Sequence, residues 1–136
     1  MLELTDVTKR FGSRVVLNAV SLRVAAGEYV AVVGESGIGK STLLNIIAGL
    51  EPADAGRVRV DGIEMSALED DAATRLRRER FGFVFQAFHV LPHLSVLQNV
   101  GLPLLLRGLA PPEIERRARA LVAAVGLAGR EASAPR

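Results

Sequence analysis

Apolar and polar positions alternate along the first part of the chain in the manner of extended structure. Residues 2–7 and 15–24 read as strands. In the second, Val20, Leu22 and Val24 alternate with Ser21 and Arg23, the period of a half-buried strand. Gly12-Ser13 and Ala26-Gly27 are turn signals on either side of it. The pattern then changes. Tyr29, Val30, Ala31, Val32 and Val33 form an unbroken apolar run, which predicts a strand buried on both faces. Residues 34–39 are punctuated by glycine, and residues 40–48 predict a helix that buries Leu43, Leu44, Ile47 and Ala48 and stops at Gly49.

Further on, residues 51–56 read as a turn. Arg57, Val58, Arg59, Val60 and Asp61 alternate strictly, and Asp61-Gly62 is a hairpin signal. Ser66 and Glu69 offer a capping box for a charged helix reaching about residue 78. Residues 81–85 predict another apolar strand, ending at Gln86. A loop over 87–94 carries Pro92 and both histidines, His89 and His93. Ser95 and Gln98 form a second capping box ahead of a leucine-rich helix to about residue 107. Pro111-Pro112 opens the last helix, with Ile114, Ala118, Leu121, Val122 and Val125 on one stripe. The Ala/Gly/Pro-rich stretch 126–136 predicts no element, and no internal repeat or low-complexity tract is present.

Composition narrows the classes. With 136 residues, 49% hydrophobic and 24% charged, the chain has the makings of a packed core and not of a disordered tail. It has no cysteine, which excludes disulfides, thiolate metal sites and a cysteine nucleophile. The charge balance, 17 basic against 15 acidic residues, leaves only +2. The densest basic stretch, Arg75, Arg77, Arg78 and Arg80, follows Glu69, Asp70 and Asp71. It reads as a solvated helix face, not a nucleic-acid stripe. No apolar run reaches the 18 residues or more of a membrane span, and Glu3 and Asp6 in a start without a long apolar stretch do not fit a signal peptide. The expected location is the cytoplasm.

The sharpest signal is Gly34-Glu35-Ser36-Gly37-Ile38-Gly39-Lys40-Ser41-Thr42, a full match to the phosphate-loop pattern G-x-x-x-x-G-K-[ST] between a predicted strand and a predicted helix. Glycines let the backbone wrap so that successive N–H groups form an anion nest, and the helix adds its unsatisfied first amides and positive dipole end. Lys40 supplies a mobile charge for β- and γ-phosphates, and the Ser41 hydroxyl suits Mg²⁺. With 13 Gly and 2 Lys in the chain, such a match arises by chance on the order of once per thousand chains. A glycine-rich strand–helix turn without a ligand is therefore the weaker reading. Two histidines at i, i+4 around Pro92 could hold a metal, but no carboxylate or cysteine stands near, and surface loop residues describe them better. Glu64, Glu69 and Asp70 read as helix-start charges, not paired catalytic acids.

The flanks of the loop carry a resemblance. Lys9-Arg10-Phe11-Gly12, Val20-Ser21-Leu22 with Gly27-Glu28, Ser36 to Leu44, the Ala48-Gly49-Leu50, Pro52 and Gly56 turn, and Phe83-Val84-Phe85-Gln86 together resemble the ATP-binding domain of ABC transporters, in order through the whole chain. Arg80 to Gln86, Leu91-Pro92, Gln98-Asn99-Val100 and Leu102-Pro103 look most like the subgroup serving lipoprotein release, macrolide and peptide export, and cell division. The resemblance implies an α/β fold: a P-loop NTPase-type parallel sheet core with an N-terminal antiparallel β subdomain and the start of a helical subdomain. It divides the chain into 1–65 (β subdomain and phosphate-loop core), 66–86 (helix and Q-loop strand) and 87–136 (partial helical subdomain).

The resemblance also implies the site: ATP and Mg²⁺ as ligands, Phe11 stacking on adenine where most members carry Tyr, and residues Gly34, Glu35, Ser36, Gly37, Ile38, Gly39, Lys40, Ser41 and Thr42 around the phosphates. Ser41 and Gln86 would hold Mg²⁺, with Lys40 and Gln86 as the catalytic residues, Gln86 sensing between nucleotide and membrane partner. Phe11 as a plain core or edge-strand aromatic, and Gln86 as a plain turn former, stay open. Implied partners are a membrane permease subunit met through loop 87–95 and a second ATP-binding subunit in a head-to-tail dimer. The place would be the inner face of the plasma membrane.

Nothing in the chain reads as an LSGGQ-like signature, a strand ending in Asp-Glu, or a switch histidine. The expectation is an incomplete cassette lacking its C-terminal third, marginally stable and nearly inactive alone. A catalytically inactive nucleotide-binding or permease-binding module is the alternative. A phosphate-loop kinase is weaker, because it leaves Gln86 and the 66–80 insertion without a role.

Overall fold

The computed structural model describes residues 1–86 and 89–135. They form two compact units, Met1–Phe81 and Gly82–Arg136.

In the first unit, β1 (Leu2–Phe11) and β2 (Arg14–Val24) make an antiparallel hairpin around Gly12-Ser13. β3 (Ala55–Val60) pairs with the other edge of β1, and β4 (Ile63–Glu64) with β3, giving the order β2-β1-β3-β4. Asp61 and Gly62, both at positive φ between Val60 and Ile63, form the tight turn that the Asp-Gly pair predicts. β1 is bulged: its register with β2 slips between Leu4 and Val7, where Asp6 sits at φ 50°. Side chains satisfy the amides freed there. Ser21 Oγ accepts from the Asp6 N–H at 2.9 Å and Thr8 Oγ1 from that of Ala19 at 3.0 Å. β3 passes this bulge closely, since a Cβ on Gly56 (φ 89°) would stand 2.5 Å from the Asp6 carbonyl.

Helix α1 (Lys40–Ile47) lays Leu43 and Ile46 into a cluster with Leu4, Val7, Leu17, Val58 and Met65. Ala48 is buried beyond it, Ile47 is half-buried, and Leu44, expected inside, is 55% exposed. Over so short a helix, one face is narrower than the apolar run. Gly49 ends it at φ 65°, and Arg77 of α2 (Asp70–Arg80) donates to the Gly49 carbonyl at 2.9 Å. The Ser66–Glu69 capping box does not form. Met65–Ala67 is a single 3₁₀ turn, Leu68 is extended at ψ 140°, and α2 restarts with Glu69 at its N-cap and no side-chain cap. Ser66 Oγ instead accepts from the Val58 N–H at 3.4 Å.

Two apolar runs differ from expectation. Residues 29–33 and 81–85 are not strands, and Tyr29 and Val33 are 92% and 86% exposed. A strand buried on both faces needs a ladder neighbour and covering layers. The sheet β2-β1-β3-β4 is complete without either run, and no other described strand adjoins them.

In the second unit, α3 (Val96–Leu106) begins with the predicted capping box: Ser95 Oγ accepts from the Gln98 N–H at 3.2 Å and Gln98 Oε1 from the Ser95 N–H at 2.8 Å. α4 (Pro111–Ala124) packs on it, burying Ala118 and Val122, and the two helices approach closely at Gly101, where a Cβ would stand 2.9 Å from Ile114 Cγ2. Leu121 and Val125, on the expected stripe, are exposed. Glu113 accepts from Arg116 (2.7 Å) and from Arg117, and these guanidinium groups, Arg116 foremost, lower its carboxyl from 4.5 to about 2.

Gly56→Ala should strain the β1–β3 approach by roughly 1–3 kcal/mol, read as a lower denaturant midpoint. Glu113 carries a second expectation. Its folded carboxyl is depressed, so its stabilisation is present above pH 4.5 and is lost as pH falls toward about 2. The gap in thermal midpoint between the protein and its Glu113→Gln variant should be largest above about pH 5 and close on acidification.

Candidate functional site

The loop 34–39 connects the exposed run 29–33 to α1. Gly34, Gly37 and Gly39 take φ of 150°, 79° and 112°, which only glycine adopts without strain. Gly39 is the N-cap of α1 and is hemmed in: a Cβ there would lie 2.6 Å from Val16 Cγ1 of β2. The helix has no side-chain cap, and its first internal bond runs from the Leu43 N–H to the Gly39 carbonyl at 2.9 Å. The Lys40, Ser41 and Thr42 amides are thus the open donors of an anion site.

Lys40 Nζ folds back and donates to the carbonyls of Gly34 (2.8 Å) and Glu35 (2.6 Å). An ammonium has three N–H donors, so its charge is held over the loop with one still to give. Ser41 is exposed, and its hydroxyl has no hydrogen-bond partner among the described residues. Arg14, just past the hairpin turn, donates to the Gly37 carbonyl at 3.1 Å and so ties β2 to the tip of the loop. Tight glycine geometry, open amides, a pinned lysine and a free hydroxyl fit a polyphosphate with a divalent cation.

Phe11 ends β1, half exposed at 50%, in the same unit as the loop. The Lys9 ammonium lies over its ring, 5.3 Å from the centroid. Lys9 is buried, paired with Glu51 Oε1 at 2.6 Å and Asp54 Oδ1 at 3.8 Å, and donates to the Pro52 carbonyl at 2.7 Å. The Glu51 hydrogen bond raises its pKa, which keeps it a cation.

Gln86 belongs to the second unit, exposed at a bend. Near it in sequence, Phe83 and Phe85 stack at 5.4 Å and His89 tilts on Phe85 at 4.5 Å. The expected partner loop 87–95 includes Ala87 and Phe88, which lie outside the described residues. The rest of it is held by Asn99, whose Nδ2 donates to the carbonyls of Leu91, Leu94 and Ser95 at 3.0–3.1 Å and whose Oδ1 accepts from the Leu91 N–H at 2.8 Å. Among the described residues no group of three or more His, Cys, Asp or Glu could hold a metal, and no helix is long and apolar enough to cross a membrane.

Sequence reasoning missed the structural parts of Lys9, Arg14 and Asn99. Lys9 had left a trace, being one of two lysines in an arginine-rich chain. Arg14 and Asn99 act on backbone carbonyls, and no side-chain pattern marks such contacts.

A glycine-wrapped, lysine-pinned loop running into an uncapped helix defines a nucleotide-binding protein of the phosphate-loop class. The family model for the ABC transporter matches residues 17–136, and the chain belongs to that family. It is 49% identical to the macrolide export ATP-binding/permease protein MacB of Chromobacterium violaceum, over 98% of this chain and 21% of that protein. It is 44% identical to the pyoverdine export ATP-binding/permease protein PvdT of Pseudomonas aeruginosa, over 99% of this chain and again 21% of that protein. The chain thus spans about a fifth of the length of these relatives. Among solved structures it superimposes on the ATP-binding cassette MJ0796, in a dimeric post-hydrolysis state with ADP and Pi, with a TM-score of 0.88 at 38% identity, covering 98% of this chain and 61% of that one. The fold is the α/β fold of such cassettes, with their antiparallel N-terminal β subdomain. The family's ligands are ATP and Mg²⁺.

Gly39→Ala introduces both a positive-φ side chain and a collision with Val16. Strain of roughly 1–3 kcal/mol is expected at the loop. In titration calorimetry it should weaken ATP·Mg²⁺ binding by about ten-fold or more. Gly12→Ala, also at positive φ but with open space around it, should leave binding near its original value.

Proposed function

We propose that the chain is the ATP-binding part of an ABC transporter, which binds ATP·Mg²⁺ and couples its hydrolysis to export or to lipoprotein or peptide release through a membrane permease. The observation that carries this reading is the loop itself, with Lys40 pinned across Gly34 and Glu35 and open amides behind Gly39. The relatives' names add that such ATP-binding regions occur together with a permease.

In this reading residues 34–42 cradle the phosphates and Phe11 stacks on the adenine. Lys40 neutralises charge developing on the transferred phosphoryl group, a reaction governed by positioning and electrostatics. Ser41 and Gln86 would hold Mg²⁺, which when bound would supply charge neutralisation. Gln86 also orients the attacking water and reports to the permease through loop 87–95. Residues 1–65, 66–86 and 87–136 serve as β subdomain with phosphate-loop core, linking helix with Q-loop segment, and partial helical subdomain. The dimeric state of the cassette MJ0796 supports a second ATP-binding subunit as partner, and in this reading the two are placed head to tail. The complex would sit on the cytoplasmic face of the plasma membrane.

Turnover and nucleotide binding in the full-length protein test this. Lys40→Ala should lower turnover by about 100-fold or more and weaken ATP binding. Gln86→Ala should keep ATP binding while losing most turnover with the permease present. Retention of ATP·Mg²⁺ without any turnover, even with the permease, would replace this reading by the inactive binding module. Full turnover in Lys40→Ala would end both.

A further inference from the structure

We propose that Lys9 is a positioning residue for nucleotide recognition, holding the ring of Phe11 in the pose in which it stacks on the base. This rests on the nucleotide-binding reading above and adds to it a residue that acts through Phe11.

Lysine is rarely buried, and Lys9 is the only charged residue in the core of the described residues. It stands two residues from buried Val7 and two from Phe11, so that the three share one side of β1, which opens to solvent at Phe11. Its ammonium faces two ways, toward the Phe11 ring at 5.3 Å and toward the turn that follows α1. That turn grips it with Glu51, Asp54 and the Pro52 carbonyl. The turn is itself anchored at both ends. The Leu50 and Glu51 amides donate to the Asn45 carbonyl of α1 at 2.8 and 3.4 Å, and Asp54 Oδ2 accepts from the Arg10 N–H at 2.6 Å. A continuous path therefore runs from the helix that begins at Lys40, through its C-terminal turn and Lys9, to the ring.

Phenylalanine needs such a tether. Without a hydroxyl, the half-exposed Phe11 has no polar tip with which to fix its rotamer, and cation–quadrupole attraction is the directional contact left to its face. A cation against one face also draws electron density from the other, which favours stacking of an electron-rich base there. A lysine that only held the 51–54 turn would influence phosphates and base alike through the fold. One that acts through Phe11 would influence the base alone.

The experiment compares ATP with inorganic tripolyphosphate, which has the phosphates without the base, by competition binding with Mg²⁺ on the full-length protein. Lys9→Met should weaken ATP about three- to ten-fold and leave tripolyphosphate unchanged. Phe11→Leu should give the same selective loss, and the combined variant should lose no more ATP affinity than Phe11→Leu alone. If Lys9→Met does not fold, Lys9→Gln with Glu51→Gln removes cation and counter-charge together, with the same expectation. Equal losses for both probes, unchanged ATP affinity, or additive losses in the combined variant would overturn the proposal. Failure of the nucleotide reading looks different: Lys40→Ala would then leave both probes bound as before.

Discussion

Leu43 and Ile46 of α1, buried with Leu4, Val7, Leu17 and Val58, set the direction in which the phosphate loop faces. A loop that binds phosphate by its amides must give up its own hydrogen bonds at the helix start, so its geometry has to be enforced from outside. Here the enforcement is apolar on one side of the helix and polar at its ends. The sheet holds its flank, Val16 crowds the N-cap glycine, Arg14 fixes the tip, and Arg77 closes the far end at Gly49. The site is open to solvent, while the elements that shape it lie in or against the core.

How far the sequence announced this depends on the range of each interaction. Local chemistry was legible at most turns and caps: the Asp61-Gly62 turn, the Ser95–Gln98 capping box, the Pro111 helix start and the Gly49 stop all stand where their residues place them. The Ser66–Glu69 box failed, because Leu68 turns extended between its two halves. A box needs both residues in one turn, and the three-residue spacing alone does not guarantee that. The buried side of α1 was read only in part, since Ile46 and not Leu44 faces the sheet. In a run where nearly every residue is apolar, periodicity cannot separate the faces.

Of the candidate site, the residues 34–42 were legible because their chemistry is written in residue types at fixed spacing. Lys9 was not, because its ion pair with Glu51 and its bond to the Pro52 carbonyl depend on a turn more than forty residues away in sequence. The unbroken apolar runs at 29–33 and 81–85 predict strands, but such a run reports a demand for burial and not the partner that meets it. Phe81 meets part of that demand on the first core, and Phe83 and Phe85 by stacking on each other.

The first unit also has a temporal meaning. Every member of its core cluster lies between Leu4 and Leu76, and its sheet is made of a hairpin and two strands before residue 65. Such contacts can form while a chain is still leaving the ribosome, because domains fold from the N-terminus as they emerge. The bulged hairpin, the phosphate helix and the Lys9 turn therefore form a block whose internal contacts need nothing beyond Phe81. A nascent chain holding this block would have its phosphate-binding loop shaped while residues beyond 81 were still being added.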